Sequence, residues 1–245
     1  MPVFPTRRSA VGLMSAIALW PAWAAAQSFP AKPIRIVVPY PPGGPTDALA
    51  RILAQDLEIS NGWTVIVDNR AGASGAIGTR EVARAEPDGH VLVLGNNQTH
   101  ATNALLMKEP GYDPAADFAP LAGLADLQHA LVVRKDLPVK SVSDLIALAQ
   151  KEPGKLNYGS TGNGSGSHLA MDLFKTRTGT KMQHVPFRGA APMAFEIVAG
   201  RIDVAFATLP SVLGQIQGGE MRALAIASHG RAPQVPDVPL LKEHS

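Results

Sequence analysis

One stretch constrains the fold more than any other: residues 34–51, IRIVVPYPPGGPTDALAR. The β-branched Ile34, Ile36, Val37 and Val38 suit a buried strand. The prolines that follow cannot donate to a ladder, so the strand ends near Tyr40. Gly43 and Gly44 admit backbone angles that other residues resist. Thr46 or Asp47 is placed to cap a helix, in which Ala48, Leu49, Ile52 and Leu53 fall at helical spacing. Strand, glycine-rich loop and helix in that order leave free backbone N–H groups at a helix N-terminus. Such a terminus suits a carboxylate or another anion.

The same grammar recurs along the chain. Trp63 to Val67 predicts a second strand, Ala71 to Gly75 a second glycine-rich loop, and Ile77 to Ala85 a helix stopped by Glu86-Pro87-Asp88-Gly89. Val91 to Leu94 is a third strand, leading into the polar run Gly95 to His100. Strands alternating with helices imply a parallel sheet covered on both faces. Periodicity fails between Lys108 and Pro120, and Leu121 to Val133 is expected to cross into a second unit. There Ser141 or Ser143 caps a helix through Ala149, and Leu156 to Gly159 is a short strand. The loop Ser160 to Ser167 then precedes a helix from His168 to Phe174. Gln183 to Pro186 and Ile202 to Phe206 are strands flanking a helix from Ala191 to Val198. Met221 to Ala227 is expected to carry the chain back to the first unit. The fold class is α/β, with residues 27–125 as a first domain, 126–220 as a second and 221–245 as a return segment. Ligands of open parallel sheets sit at the carboxyl ends of strands, where the loops 40–47 and 160–167 lie.

Residues 1–26 have the pattern of a signal peptide. Arg7 and Arg8 form a basic start, Ala10 to Trp20 is apolar but short for a bilayer span, and Ala22 to Ala26 offers small residues for cleavage before Gln27. Thr6-Arg7-Arg8 leaves both the twin-arginine and the Sec route open. Removing this segment takes away two arginines and no acid, leaving 20 basic against 20 acidic residues. The sequence pI near 9.0 therefore belongs mostly to the leader. The remainder has no charge excess with which to seek nucleic acid or anionic membrane. Aromatics are only 5% and are not interleaved with basic residues, which also argues against a nucleic-acid platform. With 46% hydrophobic residues and no cysteine, an exported chain must rely on its core, and thiol catalysis is excluded.

Motifs for catalysis are missing. Gly164-Ser165-Gly166 has the wrong spacing for a nucleophile elbow, and Gly154-Lys155 is followed by Leu156 rather than Ser or Thr. The seven histidines form no i,i+4 pair, so neither a metal nor a cofactor is expected. The loop 160–167 instead offers hydroxyls on Ser160, Thr161, Ser165 and Ser167 and the amide of Asn163. Neither this loop nor 40–47 contains Lys or Arg, so an anion would be held by neutral dipoles and water, in reversible capture. Asn96, Asn97, Gln98 and Thr99 follow a strand end, where they could face the cleft. On the residues alone, Asp47 is a capping residue, His168 an exposed helix-start residue, Asp203 a satisfied structural carboxylate, and Arg188 is turned to solvent.

Several ordered blocks carry a resemblance. VVPYPPGGPTD (37–47), DNRAGASGAIG (68–78) and AEPDG (85–89) are three of them. Tyr112-Asp113-Pro114, PGKLNYGS (153–160), HVPFRG (184–189) and PDVP (236–239) are others. Together they resemble the Bug (Bordetella uptake gene) family, the TctC-like substrate-binding components of tripartite tricarboxylate transporters. The resemblance implies a type II periplasmic-binding-protein-like fold, two α/β domains with a hinge, and a monomer. It implies a small carboxylate ligand gripped between Tyr40, Pro41, Pro42, Gly43, Gly44, Thr46 and Asp47 and the loop of Ser160, Thr161, Gly162, Asn163, Gly164 and Ser165. Asn96, Thr99, Arg188 and Thr208 would contact the rest of the ligand, and the loaded protein would be presented to a membrane permease. Family members continue beyond the PDVP block, so the C-terminal part is expected to be missing. Two rival readings remain from the residues: a periplasmic hydrolase or isomerase of a small organic acid, and a ligand-presenting subunit for a sensor kinase.

Overall fold

The computed structural model describes residues 29–244, so the signal-peptide reading lies outside the described residues. From Lys32 onward the chain forms one compact unit built on two sheets. β1 (Ile34–Val38) begins the first sheet, with Ile36, Val37 and Val38 at most 1% exposed. It leads through residues 39–44 into α1 (Pro45–Asn61), which ends on Gly62 in the left-handed conformation. β2 (Val65–Asn69), α2 (Ala76–Ala83) and β3 (Val91–Val93) follow. The order is β2-β1-β3, all parallel, as the alternating pattern predicted. Ile36, Val38 and Ala50 form the core of this half, with Leu53, Val65, Val67 and Leu92 packed around them.

The polar run after β3 enters a helical segment at residues 98–106, which was not foreseen from the sequence. A wide turn at Gln98–Thr102 runs into the short α3 (Asn103–Leu106). Between Met107 and Gln128 no further helix or strand forms.

The second sheet has the order β6-β5-β7-β4-β8. It comprises β4 (His129–Arg134), β5 (Asn157–Ser160), β6 (Gln183–Pro186), β7 (Val204–Thr208) and β8 (Met221–Ala227). β5 runs parallel to β6 and β7, but β4 is antiparallel to both β7 and β8. The sheet is therefore mixed, not parallel throughout as expected. β8 also corrects an expectation. Instead of returning to the first unit, it forms the edge of the second sheet, and Leu240 bridges to its Ile226.

β4 is buried on both faces, and its side chains alternate as a pleated strand requires. Leu131 and Val133 face α4 (Val142–Lys151) and α5 (Gly166–Thr178), through Leu145, Met171 and Phe174. Ala130 and Val132 face α6 (Ala190–Val198) and α7 (Leu209–Gln217), through Met193, Ile197 and Val212. Ser141 caps α4 in a capping box closed by Asp144. α7 was not foreseen: Pro210 stands in its first turn, where a missing N–H is no loss.

Candidate functional site

The β1–α1 loop is shaped by one carboxylate. The N-cap of α1 is Gly44, in extended conformation, and neither Thr46 nor Asp47 caps the helix. Asp47 lies in the first turn and is 4% exposed. Its Oδ2 accepts from the Gly43 amide and from Arg51 Nε, both at 3.0 Å, and its Oδ1 accepts from Asn69 Nδ2 at 3.0 Å. Burial acts to raise its pKa, but Arg51, the Gly43 amide and Asn69 outweigh burial and hold it below the usual carboxylate range. Both oxygens are thus committed to the loop, which presents exposed Pro42 and Gly43 at its tip. Gly43 takes φ +84°, a left-handed angle that a side chain would strain.

The second loop, between β5 and α5, is tied down by its own hydroxyls. Ser160, Ser165 and Ser167 are at most 3% exposed. Ser165 is the N-cap of α5, accepting from the His168 amide and donating to Gly162 O at 2.7 Å. Ser167 Oγ accepts from the Thr161 amide at 2.9 Å. Ser160 Oγ lies 2.7 Å from His184 Nε2 and accepts from the Gly162 amide. The hydroxyls expected to meet a ligand therefore shape the loop instead. Among the described residues, the amides of Asn163, Gly166 and Ser167 make no such internal bond. Gly162 and Gly164 both hold positive φ, which lets the loop turn back on α5.

Side chains from the first half reach this loop. Gln98, 2% exposed, donates from Nε2 to Asn163 O at 2.8 Å and accepts from Tyr40 Oη at 3.1 Å. Ser74 Oγ donates to the same carbonyl at 3.2 Å. A run of hydrogen bonds thus joins Tyr40 to Asn163. Pro41 also sits against Gly189, where a Cβ would lie 3.5 Å from the proline ring. Burial holds the Tyr40 phenol protonated, well above its usual pKa. The loops 40–47 and 160–165 and the 187–189 turn are therefore brought together.

Other sequence-predicted residues are placed differently. Thr99 is fully buried and its hydroxyl bonds the Asn96 backbone. Asn96 Oδ1 accepts from Tyr40 Oη and the Gln98 amide, so it starts the helical turn. Thr208 closes β7 and its hydroxyl pairs with Ser211 at the head of α7. Arg188 is exposed. His168 is half-buried rather than an exposed cap. Asp203 is satisfied as expected, by Arg134 Nε at 2.8 Å and the Asn157 amide at 2.8 Å. Sequence reasoning missed Ser74 and the pairing of Ser160 with His184. That pair resembles a nucleophile and base, but Ser160 is 0% exposed and no substrate carbonyl can reach it.

Two hollows lie nearby. One, of about 320 Å³, lies between Gly43 and the α6–α7 face, bounded by Ala191, Phe195, Val198 and Glu220. A larger one, of about 970 Å³, lies between Asp126–Gln128, the start of α7 and residues 227–234. It touches neither glycine-rich loop, so it is not the predicted cleft.

Two α/β halves with facing helix-start loops define a periplasmic solute-binding-protein fold, and solved structures agree. One described as a periplasmic transporter is 39% identical, with a TM-score of 0.85 over 89% of this chain and 73% of that one. An R. palustris protein solved with adipate is 40% identical, with a TM-score of 0.86 over 88% and 72%. MatC from Rhodopseudomonas palustris, solved with bound malate, is 32% identical, with a TM-score of 0.82 over 88% and 73%. The chain belongs to the tripartite tricarboxylate transporter family receptor (TctC) family, whose model matches residues 49–245. It is 36% identical to Protein BugT of Bordetella pertussis over 95% of this chain and 72% of that protein. It is 38% identical, over 88% of its length, to a Pseudomonas sp. protein of the tcbD-tcbE intergenic region, of which it spans 64%. The family and fold neighbours are solute-binding proteins rather than enzymes.

Proposed function

We propose that the chain is an exported solute-binding protein that captures a small carboxylate between the loops 40–47 and 160–167. It then delivers the acid to the membrane permease of a tripartite transporter. The observation that carries this reading is the second loop, whose own hydroxyls are engaged while the amides of the more exposed Asn163 and Gly166 stay available at a helix N-terminus. Adipate and malate in two relatives support the ligand class. One carboxylate of the ligand takes these two amides, and its carbon chain runs toward the hollow beside Gly43 and Phe195. Arg188, an exposed cation on the 187–189 turn, is the side chain that selects a second carboxylate.

A thermal-unfolding screen against dicarboxylates, tricarboxylates, acidic amino acids and aromatic acids tests the class. A ligand at about a hundred times its dissociation constant adds about 2.7 kcal/mol of stability. At least one dicarboxylate is expected to raise the midpoint by several degrees. A cooperative transition that none of these acids moves would contradict the reading.

A further inference from the structure

Two imidazoles support the ligand loop from beneath. The Gly164 amide donates to His168 Nδ1 at 3.2 Å. An N–H cannot donate to another N–H, so this nitrogen carries the lone pair. His168 Nε2 lies 3.3 Å from Asp172 Oδ2 and carries the proton. The ring stacks on His184 with centroids 4.2 Å apart and planes 14° from parallel. His184 in turn holds Ser160 at the other end of the loop. The charged and titratable groups facing the pair are Asp172 and Lys175 from α5 and Tyr158 from β5. Lys175 Nζ pairs with Asp172 at 2.8 Å and sits over the Tyr158 ring. His129, at the head of β4, lies against Gly166 on the loop itself. Burial, with the neighbouring His168 charge second, holds His184 below the usual histidine range.

We propose that His168 is a positioning residue for the ligand loop: its Nδ1 lone pair holds Gly164, and so fixes the amides of Asn163 and Gly166 in the geometry that grips a carboxylate. Without that acceptor the Gly164 amide has no partner in the loop, and the grip loosens. This inference rests on the proposed carboxylate-binding reading.

The test uses the full chain and two variants. His168→Asn places Oδ1 where Nδ1 stood, keeping an acceptor for Gly164 that does not titrate. His168→Leu removes the acceptor. In ¹⁵N spectra of the ligand-free protein, the Gly164 amide is expected to keep its wild-type position in His168→Asn and to move in His168→Leu. An Nδ1–H tautomer of His168, or a Gly164 amide unmoved in His168→Leu, would overturn the proposal whether or not any acid binds. With adipate as the probe, His168→Asn is expected to bind within about threefold of wild type at pH 7.5 and His168→Leu more than about tenfold more weakly. Full affinity in a folded His168→Leu protein would contradict the proposal. Failure of adipate, malate and citrate all to bind the wild type would sink the carboxylate reading, while the spectra still decide the role of His168.

Discussion

Asp47 illustrates what a single residue does here. A carboxylate 4% exposed would be costly to bury unpaired, yet its two oxygens take three donors from a loop, a helix and a strand end. Asp47→Ala strands the Gly43 amide and Asn69 together, and is expected to cost about 2 kcal/mol at neutral pH. The pH dependence has a definite sign. The folded pKa is lowered, so the stabilisation is full above the ordinary Asp value near 3.8 and disappears as pH falls through the folded value. Urea unfolding at pH 7 and pH 3 should show the gap between wild type and variant narrowing in acid. A gap that does not change would mean Asp47 is not held ionised by these partners. From the sequence Asp47 reads as a helix cap and not as the residue that binds the loop to Asn69, because that contact spans 22 positions.

At the scale of elements, the strands were the most legible because their β-branched runs are bounded by Gly and Pro. The side on which each strand pairs was less so. Nothing local to Leu131 or Val133 states that β4 runs against its neighbours, so a parallel sheet was inferred from alternation alone. The helical segment 98–106 was invisible for another reason. Gln98, Thr99 and Asn103 are buried polar residues held by hydrogen bonds, and they leave no apolar stripe. The hydroxyl-rich loop 160–167 was found correctly as a helix-start loop, but composition cannot say whether a serine turns inward to its own backbone or outward. Packing between elements makes a firm prediction at Gly159 on β5. A Cβ there would meet Met193 Cγ of α6 at 2.9 Å and Ile202 Cγ2 at 3.3 Å. Gly159→Ala should therefore destabilise the second sheet by about 1–3 kcal/mol, read by denaturant midpoint at unchanged m-value. A neutral substitution would mean α6 sits farther from β5 than described.

For the whole molecule, the two sheets matter because each delivers one loop to the same place. The run Tyr40–Gln98–Asn163 and the Ser74 bond cross between halves whose sequences share no local signal. Three cores, one on β1 and one on each face of β4, hold those loops at strand ends. The central claim is that the helix-start amides of 160–167 bind a carboxylate, and Gly166→Pro tests it most directly. Gly166 is the first residue of α5, where proline is tolerated, and Ser165 before it already has the extended ψ of 160° that proline demands. A Cβ at 166 meets nothing closer than 3.4 Å. The substitution thus removes one amide donor and little else. Calorimetric titration of adipate and malate into wild type and Gly166→Pro is the measurement. An unchanged unfolding midpoint with affinity lowered by about tenfold or more, as loss of a bond to a charged group implies, is the predicted result. Full affinity in a folded Gly166→Pro protein would contradict it.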